Sequence, residues 1–148
     1  MTNTTSQPLA ERQEKWESIS GISTPVAFAL IEASEGLTVT LVFSEIADGG
    51  DSDLRIDFGR VPAYSVYEEL LHPWEPSEPG PRLAGRWEGY IYPLLQVKNS
   101  KWMASLPNLS MNDPDCIHYR LLTLDQIVDV LCGKPPGVSW VRSRRDED

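Results

Sequence analysis

Over residues 37–45, and again over 54–58, apolar and polar positions alternate with a period of two, the pattern of strands with one buried face. Leu37, Val39, Leu41 and Phe43 share one face of LTVTLVFSE (37–45), and Thr38, Thr40, Val42 and Ser44 share the other. The run VAFALIEA (26–33) joins it through Ser34-Glu35-Gly36. Two β-branched runs around a short Gly-containing connection predict a hairpin. LRIDF (54–58) alternates again, with Leu54, Ile56 and Phe58 inward. VPAYSVYEELL (61–71) predicts a further strand, and Pro62 places its start at a sheet edge or bulge, because proline donates nothing to a ladder. HPWEPSEPGPRLAG (72–85) holds four of the twelve prolines and predicts a loop, after which RWEGYIYPLLQVKNS (86–100) resumes strand character.

Towards the two ends the spacing suits helices. In QPLAERQEKWES (7–18), Pro8 stands in the first turn and Leu9, Arg12 and Trp16 fall on one face. SKWMASL (100–106) predicts a helical turn capped by Ser100, and PNLSMNDPD (107–115) a loop. CIHYRLL (116–122) reads as a strand, with Ile117, Tyr119 and Leu121 towards the core and Cys116, His118, Arg120 and Leu122 opposite. TLDQIVDVLCG (123–133) predicts a helix with defined ends. Thr123 and Gln126 form a capping box, Asp125 suits the first turn, Leu124, Ile127, Val128 and Leu131 make an apolar stripe, and Gly133 with Pro135-Pro136 stops it. Hairpin-length connections and the lack of strand–helix alternation exclude a doubly wound sheet. The predicted fold class is α+β: mainly antiparallel β-sheet with short helices near the N- and C-termini. A disordered N-terminus over 1–6, one globular domain over 7–142 and a charged tail over 143–148 complete the expected organisation.

Composition changes this picture little. A chain of 148 residues fits one domain. At that size a domain buries roughly 70% of its unfolded surface and folds without a disulfide or metal. Thirteen basic against twenty-two acidic residues give a net charge of −9. With no basic stripe, nucleic acid is not expected as a partner, whereas a cationic protein would be steered in. The N-terminus shows neither the basic nor the apolar region of a signal peptide, and no apolar run approaches the ~20 residues of a membrane helix, so no membrane partner is expected. Two cysteines without a secretory signal point to reduced thiols in the cytoplasm.

No Walker loop, GxGxxG, GxSxG or HExxH occurs. DGGDSD fails the spacing of a calcium loop from either starting Asp, which leaves a solvated turn. Cys116 and His118 share a strand face, but Cys132 would have to supply a third metal ligand. A strand of about 20 Å followed by a helix returning only about 12 Å leaves Cys132 short of Cys116. Neither a metal site nor a cofactor is therefore expected. His118 would need a nucleophile and an orienting carboxylate to act as a base; beside Arg120 on a polar strand face, it reads as solvent-facing or as a partner contact. His72 begins the Pro-rich loop. Trp74, Trp87, Tyr90 and Tyr92 lie in or beside that loop and its following strand, and tryptophan and tyrosine are the residues most enriched at binding hot spots. Core packing and sheet pairing compete for the same residues.

LRIDFGRVPAYSVYEE, YPLLQVKNSKWMASL and HYRLLTLDQIVDVLCGKPPGVSWV together resemble a family of small, acidic, stand-alone bacterial proteins of unknown function, immunity-protein-like in character. The likeness covers residues 54–141 and rests on His118, Tyr119, Thr123, Val128 to Leu131, Pro135, Pro136 and Trp140. It implies an immunity or interaction role and brings no catalytic residues. The expected function is a non-enzymatic cytoplasmic protein that binds another protein, such as a basic toxin domain. The candidate binding residues are Trp74, Trp87, Tyr90, Tyr92, His118 and Arg120. An accessory subunit of a larger assembly, and a small enzyme or ligand-binding domain with a pocket near His118, are the alternatives.

Overall fold

The structure, a computed structural model, describes residues 10–44, 52–71 and 80–142. The expected disordered N-terminus (1–6), the charged tail (143–148), His72, Trp74 and most of the DGGDSD turn lie outside the described residues. Among the described residues, nine strands follow in chain order: β1 (Arg12–Lys15), β2 (Val26–Glu32), β3 (Leu37–Phe43), β4 (Ser52–Gly59), β5 (Ala63–Glu68), β6 (Leu94–Lys98), β7 (Ile117–Leu122), β8 (Gln126–Cys132) and β9 (Gly137–Arg142). They form a five-stranded sheet, ordered β1-β6-β7-β8-β5, and a four-stranded sheet, ordered β2-β3-β4-β9. Every strand pair is antiparallel. An isolated parallel bridge between Val26 and Thr123 ties the two sheets.

The period-two pattern places the core. Leu37, Val39 and Leu41 on β3 and Leu54, Ile56 and Phe58 on β4 are buried, as their alternation predicts. They join Leu94, Tyr119, Leu121, Val128 and Val130 of the other sheet in one cluster. Trp16, Phe58 and Tyr119 close that cluster as an aromatic triangle, with ring centroids 4.6 Å apart for Trp16–Tyr119, 5.8 Å for Phe58–Tyr119 and 6.3 Å for Trp16–Phe58. The β2–β3 hairpin is present. β5 follows Pro62 and lies at a sheet edge.

The α+β expectation is overturned: the fold is mainly β. Among the described residues, helix is confined to single turns, α1 (Lys101–Ala104) and α2 (Leu109–Asn112), and 3-10 turns at Glu69–Leu71 and Gly85–Trp87. None of these lies near a terminus. The predicted N-terminal helix is an edge strand instead, β1, whose residues 12–15 pair with 95–98 of β6. Of the expected helical face, Trp16 is buried and Arg12 exposed, and Leu9 lies outside the described residues.

The predicted helix over 123–133 is β8, and the reason is physical. Val128, Val130 and Cys132 face the shared core, while Asp129 and Leu131 are buried on the opposite side. A strand covered on both faces loses its alternation, so its apolar positions also satisfy a helical stripe. The capping signal is equally ambiguous. Thr123 Oγ1 does accept the Gln126 N–H, at 2.9 Å, as a capping box requires. Here the Thr123 N–H also reaches the Gln126 carbonyl at 2.9 Å, which closes a β7–β8 hairpin around Leu124-Asp125.

The predicted turn at 100–106 is present as α1. Ser100 caps it by accepting the Met103 N–H at 3.1 Å. No helix among the described residues is long and apolar enough to cross a membrane.

Candidate functional site

The strand register sets the geometry around His118. Gln13, Val97, His118 and Leu131 lie in one row across β1, β6, β7 and β8. Lys15, Leu95, Arg120 and Asp129 lie two residues along, in the next row on the same face. Arg120 therefore stands directly opposite Asp129, and His118 is diagonal to it, both within side-chain reach. All three point away from the shared core, on the face where the sequence predicts solvent or a partner. The structure corrects that expectation: His118 is 1% exposed, Arg120 2% and Asp129 1%.

The three side chains form one hydrogen-bonded chain. Arg120 Nε donates to Asp129 Oδ1 at 2.7 Å, and its Nη1 donates to Gln13 Oε1 at 2.9 Å. His118 Nε2 lies 2.7 Å from the same Asp129 oxygen, and its Nδ1 lies 2.6 Å from Ser100 Oγ. Trp102 of α1 meets the imidazole edge-on, with centroids 5.3 Å apart. Asn99 Nδ2 donates to the Ala10 carbonyl at 3.1 Å, and the Lys101 N–H donates to Glu11 Oε1 at 2.8 Å. The 99–101 turn thus holds the residues leading into the edge strand β1, and Arg120 holds its second residue.

Sequence reasoning missed Asp129 and Ser100 as partners of His118, and Asp129 and Gln13 as partners of Arg120. One signal was present: Asp129 interrupts the apolar run QIVDVLC, and a carboxylate held between β-branched strand residues needs a buried cation or donor.

Ser100, His118 and Asp129 stand in the order nucleophile, base, orienting carboxylate. With the imidazole proton on Nε2, the Ser100 hydroxyl donates to Nδ1 and Nε2–H donates to Asp129. Two features weigh against nucleophilic chemistry. A Ser100 lone pair is taken by the Met103 N–H, and the Asp129 oxygen that would steady an imidazolium is already held by Arg120. The arrangement does suit a lock, joining β1, β7, β8 and α1. Beside it, an open cavity of about 680 Å³ is lined by Ser100, Met103, Leu106, Leu109, Cys116 and His118, among others.

Cys116 and Cys132 are buried free thiols. Cys132 does not stop short of Cys116, because the segment that carries it is a strand and not a helix: β8 runs back along β7 and sets Cys132 opposite Ile117, next to Cys116 in sequence. Burial first, then the charge of Asp113, pushes the Cys116 thiol up to about 11. Burial also raises the Cys132 thiol. Both stay protonated at neutral pH, where a thiol is a poor nucleophile. Among the described residues no group of three or more His, Cys, Asp and Glu stands ready to hold a metal.

The aromatic candidates divide. Tyr92 is buried in the core cluster, with Lys15 Nζ 5.0 Å from its ring centre. Burial, and then the charge of Glu17, raises its phenol. Trp87 and Tyr90 sit on a lobe over residues 81–92. The Tyr92 N–H bonds the Pro81 carbonyl at 2.8 Å and the Leu83 N–H bonds the Tyr90 carbonyl at 2.9 Å. On it, Trp87 and Tyr90 pack edge to face at 5.5 Å, and the Arg86 guanidinium lies 4.9 Å from the Trp87 ring. Tyr90 is exposed and Trp87 half-buried. No protein-family model matches the chain significantly, and neither does any curated protein or solved structure.

Proposed function

We propose that this protein works in the cytoplasm by binding another protein, as an immunity protein binds and neutralises a basic toxin domain, with no catalysis of its own. The observation that supports this most is the Arg86–Trp87–Tyr90 cluster. Its aromatic rings are stiffened by mutual packing before any partner arrives, so little rotamer entropy remains to be lost on docking. Tyrosine, tryptophan and arginine are also the residue types that dominate interface energetics. The net charge of −9 would steer a cationic partner. Co-expression with the product of the adjacent gene tests the reading: a stable complex is expected, weakened by salt. Trp87→Ala and Tyr90→Ala should each lose about 2 kcal/mol of affinity, roughly thirtyfold, by calorimetry. Failure to recover any stoichiometric protein from source-cell lysate, adjacent gene products included, would overturn it.

One observation favours a second reading, hydrolysis: Ser100 Oγ lies 2.6 Å from His118 Nδ1 at the wall of a cavity. The two readings part on reactivity. A fluorophosphonate probe is expected to leave Ser100 unmodified by mass spectrometry, because the hydroxyl is spent on capping α1 and α1 covers the imidazole. Covalent labelling that disappears in Ser100→Ala would shift the weight to hydrolysis.

A further inference from the structure

The described residues expose four sheet edges, and they are not equally guarded. Strand edges present unpaired backbone groups, and natural proteins blunt them with charge, proline, bulges or cover. On β1, Arg12, Glu14 and Lys15 are charged, and Arg12 and Glu14 pair at 3.1 Å. On β2, the register shifts between Val26 and Phe28, which is a bulge. On β9, entered through Pro135-Pro136, Val138 and Trp140 pack against the core, and the Trp140 indole donates to the Ser20 carbonyl at 3.1 Å.

β5 lacks those devices through its middle. Among the described residues it pairs only with β8, in an unbroken register from Ala63 to Glu68. Tyr64 lies beside Val130 and Val66 beside Val128. Both β8 valines are 0% exposed, yet Tyr64 is 43% and Val66 38% exposed. The covering sheet stops one strand short, and β5 overhangs it with an apolar row beside an open ladder.

We propose that this edge binds the β5 edge of a second copy, antiparallel, with Ser65 opposite Ser65 at the two-fold axis. A two-fold interface must be self-complementary, and this register is. Tyr64 of each copy faces Val66 of the other, giving two aromatic–β-branched cross-strand pairs that extend the exposed row. Arg60, just before β5, comes up to the Glu68-Glu69 end of the other strand, and the symmetry repeats that contact. All three are exposed. A contact of one strand pair is at the small end of specific interfaces, so the dimer forms at high concentration and exchanges quickly. Each copy carries −9, so salt, which screens the mutual repulsion, strengthens it. The salt response is opposite in sign to that expected for a basic partner, and the contact draws on β5 rather than on Trp87 and Tyr90.

The test is sedimentation equilibrium of the full chain from low micromolar to submillimolar concentration, at low and moderate salt. The apparent mass is expected to rise about twofold, at lower concentration when salt is present. Val66→Lys, exposed and so able to fold, is expected to remain monomeric with an unchanged circular dichroism spectrum. Ser65→Cys reports the register: under mild oxidation it should cross-link to its own copy, because directly opposed Cβ atoms lie about 4.5–5.5 Å apart. The buried Cys116 and Cys132 leave the wild type uncross-linked. A wild type that stays monomeric at every concentration, a Val66→Lys variant that dimerises as well as wild type, or a Ser65→Cys variant that does not cross-link would each overturn the proposal.

Discussion

Asp129→Ala is expected to cost about 3–5 kcal/mol of folding stability, read as a lower urea midpoint at unchanged slope. The loss is not that of one favourable contact. Asp129 Oδ1 is shared by the Arg120 guanidinium and the His118 imidazole, and all three residues are almost wholly buried. Truncating the carboxylate removes the buried anion that Arg120 and His118 share, and losing that pairing in a poorly solvated place supplies most of the cost. A native domain is stable by only about 5–15 kcal/mol, so the variant stands near the folding threshold. The double variant Asp129→Ala with Arg120→Met separates this cause from mere loss of packing. Removing both charges is expected to cost less than the sum of the two single substitutions. Strict additivity would show that the pair is not coupled and would remove this account of the network.

The same three residues show how far the sequence carries. The strand parity of CIHYRLL is right: Tyr119 and Leu121 face the shared core, and His118 and Arg120 face the other way. Alternation reports which residues share a face, but not whether a loop covers that face. Here the 99–115 segment, with Ser100 and Trp102, lies over the second face and turns an apparently polar surface into a buried network. The β3 and β4 rows were legible because polar residues, Thr38 and Thr40 on β3 and Arg55 and Asp57 on β4, separate the core-facing ones, although Thr40 and Val42 are themselves buried. β8 was not, because its second face carries Ile127 and Leu131 beside Asp129, so apolar residues run through both faces and the period of two is lost. Thr123 misled for a local reason. A hydroxyl accepting the N–H three residues on is made by a helix N-cap and by a hairpin turn alike. The discriminating residue was Asp129 itself. On the predicted helix it would sit on the polar face with no partner required, whereas on β8 it faces Arg120 and His118.

The largest effect on the opposite face of the five-stranded sheet is expected from Trp16→Ala, about 3–5 kcal/mol. Trp16 follows β1, and its N–H bonds the Leu94 carbonyl at 2.9 Å. Its ring contacts Tyr119 of one sheet and Phe58 of the other, so its removal opens a cavity where the two layers meet. Trp16→Phe keeps an aromatic in that triangle and should recover more than half of the loss. A Trp16→Ala loss below about 1 kcal/mol would mean that the site collapses freely around the missing ring, contrary to the packing described. The two substitutions then bear on one strand from two sides. β1 is a four-residue edge strand. Trp16 anchors it through the core, and the Arg120–Gln13 and Lys101–Glu11 bonds hold it from the far face. Amide exchange in β1 is therefore expected to quicken in both Trp16→Ala and Asp129→Ala, by more than the drop in global stability explains, because a short edge strand opens locally before the sheet does. Faster exchange in Trp16→Ala alone would show that the apolar anchor holds β1 by itself, and that the chain from Gln13 to Ser100 is kept for something other than fastening the edge.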